Sequence, residues 1–221
     1  MSDVGGNYVQ MNELVHAGLR RDLDRIGQVA RQPLTAERRE ALARRVSWLV
    51  EFLHHHHASE EEAIWPLAVR KRPQLGGLME AMEAEHGALA AAADGLHEAA
   101  AAYAGDGSES KRQALVAALD RMRITCLPHL EHEEAAAVPQ LVQTLDDREW
   151  AKVDKRFRRG LGPKDLGWIA MWLLDDLDPA HARFLRGQLP RPVLTLLTWR
   201  WGRPYAREAS LAWGELAGVR G

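Results

Sequence analysis

The segments HHASEEEAIWP (residues 56–66) and HLEHEEAAAVP (residues 129–139) share the pattern His-x-x-x-Glu-Glu-x-x-x-x-Pro. In each segment, the histidine and the first glutamate are four residues apart. On a helix this spacing places both side chains on one face, one turn apart. Such a pair can hold one metal ion together, or its carboxylate can bridge two ions. The repeat therefore predicts two helices that present the same ligands to one site.

Both segments lie within longer stretches whose apolar residues recur every three or four positions, the spacing of a helix with one buried face. Two further stretches share this spacing, and proline or glycine near residues 33, 73 and 105–107 separates the four. The predicted buried stripes are Val9, Asn12, His16, Leu19, Leu23, Ile26 and Ala30; Leu42, Val46, Leu49, Leu53, His56, Glu60, Ile64 and Leu67; Leu75, Leu78, Met82, His86, Leu89, Ala93, Leu96, Ala100 and Tyr103; and Leu115, Leu119, Met122, Cys126, His129, Glu133, Ala137 and Leu141. We therefore predict an all-α fold, with an up-down-up-down four-helix bundle over residues 1–146.

Residues 147–221 differ from the predicted bundle in charge and in tryptophan content. We predict that they form a tryptophan-rich helical extension. They carry 14 Lys and Arg against 9 Asp and Glu, whereas residues 1–146 carry 15 against 22. Six of the eight tryptophans follow residue 149. The extension either packs on the bundle or forms an interface, including one between copies of the chain. A lid over the site and contact with a membrane surface are the remaining alternatives.

Overall composition excludes several classes of partner. The net charge of −2 gives no indication of nucleic-acid binding. The single cysteine, Cys126, excludes an intrachain disulfide and favours a reducing, cytoplasmic setting. We expect no signal peptide in residues 1–13 and no transmembrane segment, because the longest apolar run, residues 166–174, is too short to span a bilayer.

Polar residues interrupt the apolar stripes at the same depth in all four helices. They are His16, His56, Glu60, His86, His129 and Glu133. A helix rises ~1.5 Å per residue, so comparable distances from one end of the bundle bring them to one level. A lone histidine on an apolar face is usually a hydrogen-bonded structural residue. Four imidazoles and two carboxylates together need partners or a metal to offset their desolvation, which makes a metal-free bundle the weakest alternative. They predict a dinuclear site for a borderline divalent ion.

The paired elements, together with His16 and the Glu85-His86 dipeptide, resemble the bacterial hemerythrin-like family of HHE cation-binding domains, over roughly residues 8–146. The resemblance implies His16, His56, His86 and His129 as terminal ligands, with Glu60 and Glu133 bridging two iron ions. It implies an oxo- or hydroxo-bridged non-haem di-iron centre that binds O2, NO or peroxide. Another divalent metal remains an alternative, although six ligands exceed a structural zinc site.

One departure concerns the fifth imidazole. Oxygen-carrying hemerythrins take two histidines from their third helix at H-x-x-x-H spacing, but Ala90 stands four residues after His86 here. His57 is the candidate replacement, because on a helix it flanks Glu60 at ~60°, opposite His56 at ~40°. The alternative is that His57 only forms a hydrogen bond to a ligand or to solvent.

Other polar residues have weaker patterns. We expect His54 and His55 at the surface, and Cys126 as a small buried residue. Glu61, His132 and Glu134 are candidates for orienting the ligands. His97 and His181 lack a supporting pattern.

Two functions from different classes remain open at this point. An imidazole-rich site with two carboxylates favours reversible binding or sensing of O2 or NO, or peroxide chemistry. If His57 does not bind, an open coordination position favours the alternative, a di-iron oxidoreductase or oxygenase acting on a small organic substrate.

Overall fold

The computed structural model describes residues 4–216, which contain helices and their connections but no strand. The helices are α1 (Val4–Val29), α2 (Ala36–Ser59), α3 (Trp65–Lys71), α4 (Gly76–Gly105), α5 (Glu109–His132), α6 (Val138–Thr144), α7 (Asp147–Phe157), α8 (Pro163–Leu174), α9 (Pro179–Gln188) and α10 (Arg191–Trp213). Residues 1–3 and 217–221, the outer ends of the two predicted segments, lie outside the described range. The prediction of an all-α fold is confirmed.

Contacts at the two ends of the bundle fix the direction of its helices. At one end, the backbone N–H of Leu34 donates to the Tyr103 hydroxyl over 3.1 Å, and Arg112 Nη1 donates to the Ala30 carbonyl over 2.7 Å. At the other end, Arg72 Nη1 donates to the Thr144 hydroxyl over 3.2 Å. The start of α2 thus meets the end of α4, the end of α1 meets the start of α5, and the end of α3 meets the end of α6. The four long segments therefore run up, down, up and down.

A π-helical turn interrupts each of the two segments that carry the repeated element. The turns span Glu60–Ile64, between α2 and α3, and Glu133–Ala137, between α5 and α6. Each closes with a hydrogen bond between residues five positions apart, from Trp65 N–H to the Glu60 carbonyl and from Val138 N–H to the Glu133 carbonyl. A proline follows at once in both cases. Proline lacks an N–H and clashes with the carbonyl four residues back, so it favours a widened turn.

The π turn in the second segment changes which residues reach the core. The apolar stripe predicted Leu67 in the core, but Leu67 is only partly buried, whereas Trp65 and Ala68 are buried. A π turn holds one residue more than an α-helical turn, so the buried face moves along the sequence after Ile64. Strict α-helical periodicity does not anticipate that shift.

The helices after residue 146 pack directly on the bundle. Helices α8 and α10 lie against α1 and α2, and Trp172 of α8 is fully buried in the same core as Leu19 of α1. The Trp172 ring rests on Gly18, where a Cβ atom would lie 2.6 Å from Trp172 Cζ2. Glycine at this position therefore permits the close approach of α8 to α1.

Buried charges reinforce this contact. Asp22 of α1 accepts hydrogen bonds from Arg45 Nη2 at 3.1 Å and from Trp172 Nε1 at 3.0 Å. Asp175, which follows α8, accepts a hydrogen bond from Arg25 Nη1 at 2.7 Å. All three charged groups of α1 and α2 are buried, so each depends on a partner for compensation. The extension supplies part of that compensation.

The outer part of the extension has an exposed apolar face. Val193, Leu196 and Trp199 of α10 are all exposed, with Trp199 at 75 %. Association of copies through this extension stays a prediction, as does the division of the chain into two domains. Between residues 4 and 216, no helix combines the length and the apolar character that crossing a bilayer requires.

Replacement of Gly18 tests the docking of the extension. We expect Gly18→Ala to lower the free energy of unfolding by about 1–3 kcal/mol, because the added methyl group overpacks the contact with Trp172. Chemical denaturation followed by tryptophan fluorescence measures the change. Gly95→Ala is the matched control in α4, since its Cβ meets nothing within 4 Å. Helix propensity alone should raise stability there by about 0.5–1 kcal/mol. Equal responses of the two variants would contradict the prediction.

Candidate metal centre

Two clusters of buried side chains meet in the bundle at the level of the π turns. One contains His57, His86 and His129, and the other contains His16, His56 and Glu133. Within each cluster the possible ligand atoms lie within 4.8 Å of one another. All four bundle segments contribute, as the depth of the polar residues predicted. The clusters have the composition and spacing of two adjacent cation sites.

Two carboxylates link the clusters. Glu60 Oε1 lies 3.3 Å from His56 Nε2, while Glu60 Oε2 lies 3.7 Å from His86 Nε2. Glu133 Oε2 lies 3.1 Å from His16 Nε2 and 3.9 Å from His129 Nε2. Each carboxylate therefore approaches one imidazole from each cluster. This is the arrangement that a bridging carboxylate requires.

The atoms that face one another in this site lack hydrogen bonds of ordinary geometry. They are Nε2 of His16, His56, His57, His86 and His129, both carboxylate oxygens of Glu60, and Oε2 of Glu133. A buried polar atom without a partner costs about 1–3 kcal/mol. This many unpaired atoms together would therefore strongly destabilise a metal-free site. Nitrogen and oxygen donors of this kind suit a borderline divalent ion. The residues present thus fit a bound metal.

A second layer of carboxylates orients three of the imidazoles. His16 Nδ1 lies 2.8 Å from Glu134 Oε1, His86 Nδ1 lies 2.9 Å from Glu61 Oε1, and His129 Nδ1 lies 3.0 Å from Glu85 Oε2. A carboxylate at Nδ1 fixes the ring so that Nε2 points into the site, and it makes the imidazole a more basic ligand. Glu61 and Glu134 occupy equivalent positions in the repeated element. Each serves an imidazole on a different helix.

Burial keeps most imidazoles neutral. It lowers the pKa of His56 to about 4 and the pKa of His86 to about 3, and it holds the pKa of His57 well below the usual range. At neutral pH these three rings are therefore neutral, and each keeps one nitrogen without a proton that can bind metal. Neutral imidazole is the form that binds metal.

The pKa values of Glu60 and Glu133 are shifted in opposite directions. Burial, followed by the charge of Glu133, raises the pKa of Glu60 well above its usual value. Burial also acts to raise the pKa of Glu133, but the contact with His16 and the nearby His56 and His129 lower it to about 2. Burial acts to lower the pKa of His16, yet Glu133 and Glu134 outweigh it and raise that pKa. A metal ion would replace these protons as the compensating positive charge.

Aromatic rings and α7 enclose the site. The His57 and His86 rings stack with centroids 3.7 Å apart, and Trp65 stacks on the other side of His86 at 4.7 Å. Phe157, at the end of α7, lies 6.0 Å from His56, while its carbonyl oxygen lies 2.9 Å from His55 Nε2. Because α7 packs against both α1 and α2, the extension covers one side of the site. These rings exclude water from the imidazoles.

The remaining histidines and the cysteine lie apart from the two clusters. His54 is partly exposed and pairs with Asp94 at 2.9 Å, as its position off the stripe predicts. His181 is also partly exposed and pairs with Asp178. Burial raises the pKa of the Cys126 thiol to about 12, so that it stays protonated. His55 is more buried than expected, because α7 covers it.

Sequence reasoning missed three polar contributors. Glu85 holds both His129 and His132, whose Nδ1 lies 2.7 Å from Glu85 Oε1. Arg20 donates to both oxygens of Glu134, at 2.7 and 3.0 Å. Asn12 donates through Nδ2 to Glu133 Oε1 at 3.2 Å. A signal for Asn12 was its place on the buried stripe, one turn before His16. The sequence indicates no role for Glu85 beyond its place next to His86, and none for Arg20 beyond its place four residues after His16.

Fold and site together define a helical-bundle protein with a buried cation site rich in histidine and carboxylate. The chain belongs to the hemerythrin family, because residues 9–147 match the model of the hemerythrin HHE cation-binding domain. The family resemblance carried by the two paired elements is thus confirmed, and with it the capacity to bind a cation. Comparisons with curated proteins and with solved structures gave no significant match.

Removal of Glu85 tests the second layer of carboxylates. We expect Glu85→Ala to weaken metal binding about 10–100-fold, since the ring of His129 loses the group that orients it. Competition with a chromophoric chelator measures the affinity. Glu80→Ala is the matched control, an exposed glutamate on the same helix. Unchanged affinity in Glu85→Ala would show that packing alone orients His129.

Proposed function

We propose that this protein holds two iron ions and binds or senses a small ligand, O2 or NO, or handles peroxide at that centre. The observation that carries the proposal is the position of Glu60 and Glu133, each of which approaches one imidazole from either cluster. A mononuclear site would not need two carboxylates between two groups of imidazoles. Dinuclear carboxylate sites of helical bundles are built from facing helices in the same way.

The proposed ligands divide unequally between the two ions. His57, His86 and His129 would hold one ion, His16 and His56 would hold the other, and Glu60 and Glu133 would bridge them. In this assignment His57 supplies the imidazole that is missing from α4, where Ala90 stands one turn after His86. Its support is that His57 Nε2 is buried without a hydrogen bond and lies in one cluster with His86 and His129.

The composition of the site favours binding or sensing over oxidation of an organic substrate. Imidazole binds metal as a neutral ring, so five imidazole ligands and only two carboxylates would leave bound divalent ions with a net positive charge, which stabilises the reduced state of the metals. Three of the five imidazoles are held by Glu61, Glu85 and Glu134. With His57 as a ligand, the open position that favoured an oxidoreductase is filled.

The chain itself does three things for this function. The five imidazoles and two carboxylates fix the coordination geometry before a ligand arrives. Trp65, Phe157 and the stacked imidazoles keep bulk water from the ions. Bound iron would supply redox chemistry toward small ligands. The fold supplies a site that is dry, rigid and positively charged.

Metal analysis with spectroscopy tests the proposed function. We expect anaerobically purified protein to hold about two iron ions per chain and to develop a reversible absorption band on exposure to O2 or NO. Elemental analysis and absorption spectra before and after gas exchange provide the measurement. Consumption of peroxide over many turnovers would identify peroxide handling as the function, whereas irreversible bleaching would favour the oxidoreductase. Less than one transition-metal ion per chain would exclude the dinuclear centre.

Replacement of His57 tests the fifth imidazole. We expect His57→Ala to weaken binding of one metal ion at least about tenfold. Loss of an outer group that only orients a ligand already costs about 10–100-fold in affinity, and loss of the ligand itself should cost no less. Equilibrium dialysis followed by metal analysis gives the affinity and the stoichiometry. His54→Ala is the matched control, because His54 lies three residues away on the same helix, is partly exposed and pairs with Asp94 outside the two clusters. Equal metal content and spectra in both variants would assign His57 a supporting position outside the coordination shell.

A further inference from the structure

Tyr8 of α1 carries a buried hydroxyl group that has no hydrogen-bond partner among the described residues. Most buried hydroxyl groups in proteins are hydrogen-bonded, and an exception calls for an explanation. The Tyr8 hydroxyl is therefore a hydrogen-bond donor that has no acceptor among the described residues.

The position of Tyr8 on α1 directs it toward the bridging carboxylates. Tyr8, Asn12 and His16 are four residues apart, so they lie along one face of the helix. Two members of this row contact Glu133, His16 through Nε2 at 3.1 Å and Asn12 through Nδ2 at 3.2 Å. Burial, followed by the charges of Glu60 and Glu133, raises the pKa of Tyr8 well above its usual value, so the phenol stays protonated and able to donate.

The packing around Tyr8 fixes its ring. The ring stacks on Trp150 of α7 with centroids 4.3 Å apart, and Tyr8 packs against the apolar cluster that contains Ile64 and Trp65. Asn12 adds a second polar atom to the same helix face, because its Oδ1 is also buried without a partner. A rigid phenol donor and an amide oxygen thus lie on the face of α1 that lines the centre. Neither is needed to complete the proposed coordination shell.

We propose that the Tyr8 hydroxyl donates a hydrogen bond to the small ligand that binds at the metal centre, which makes Tyr8 a positioning residue for anionic ligands. The inference rests on the proposed function, since it requires a metal-loaded site. Two divalent ions among two carboxylates leave positive charge, and this favours a small anion over a neutral molecule. A hydrogen bond from a neutral donor to an anion is about twice as strong as one to a neutral acceptor.

Azide is a suitable probe, because it is a small anion that coordinates transition metals and accepts hydrogen bonds. We expect Tyr8→Phe to raise the Kd for azide about tenfold in the metal-loaded full chain, the loss typical of a hydrogen bond to a charged group. The metal content should not change. Phenylalanine keeps the stacking on Trp150, so the variant removes only the hydroxyl. Absorption titration gives the azide affinity.

Tyr103→Phe is the matched control, because the Tyr103 hydroxyl accepts its hydrogen bond from Leu34 at the opposite end of the bundle. This variant should bind azide like the wild type. An azide affinity in Tyr8→Phe within about threefold of the wild type would overturn the role of Tyr8. So would loss of metal from Tyr8→Phe, which would make the hydroxyl a structural group, or a metal-loaded wild type that does not bind azide. A wild type that holds no metal would instead overturn the proposed function itself, and this inference with it.

Discussion

Burial of Glu60 and Glu133 between imidazoles is the constraint on which the rest of the site depends. A carboxylate removed from water needs compensating positive charge close by, and the surrounding imidazoles are mostly neutral because burial lowers the pKa of His56 and His86. A cation resolves this conflict. The arrangement of the outer carboxylates follows from it, since Glu61, Glu85 and Glu134 hold three of the imidazole rings with Nε2 directed at the place where that cation would sit.

The extension contributes to the same problem from outside. Helix α7 covers the side of the site between α1 and α2, and α8 with α10 covers a second face of those two helices. Asp22 and Arg45, which lie on that second face, are buried only because Trp172 and its neighbours are there. The core that stabilises the metal-site helices therefore includes side chains from beyond the region that matches the family.

Sequence periodicity predicted the four bundle segments and the depth at which their polar residues meet. It did so because apolar stripes at helical spacing have few other physical explanations, and because six polar residues on four such stripes are costly unless they meet. The second buried face of α1 could not be predicted in the same way. Asp22 and Arg25 are charged and look like a solvated surface, since the partners that bury them lie about 150 residues later in the sequence. The role of Tyr8 could not be predicted from the sequence for a related reason, because only the three-dimensional structure shows that its hydroxyl has no partner.

The two π turns have a consequence for how this sequence can change. Each begins at one of the two glutamates that link the clusters and is followed by a proline, so the number of residues between histidine and proline sets the angle at which α3 and α6 leave the site. Loss of one residue from such a turn would rotate everything after it by ~100° around the helix axis. Trp65 would then leave the ring of His86, although every ligand remained in the sequence. Connections between helices can vary in length without cost to the site. The two intervals between histidine and proline, in contrast, must keep their length for the site to keep its geometry.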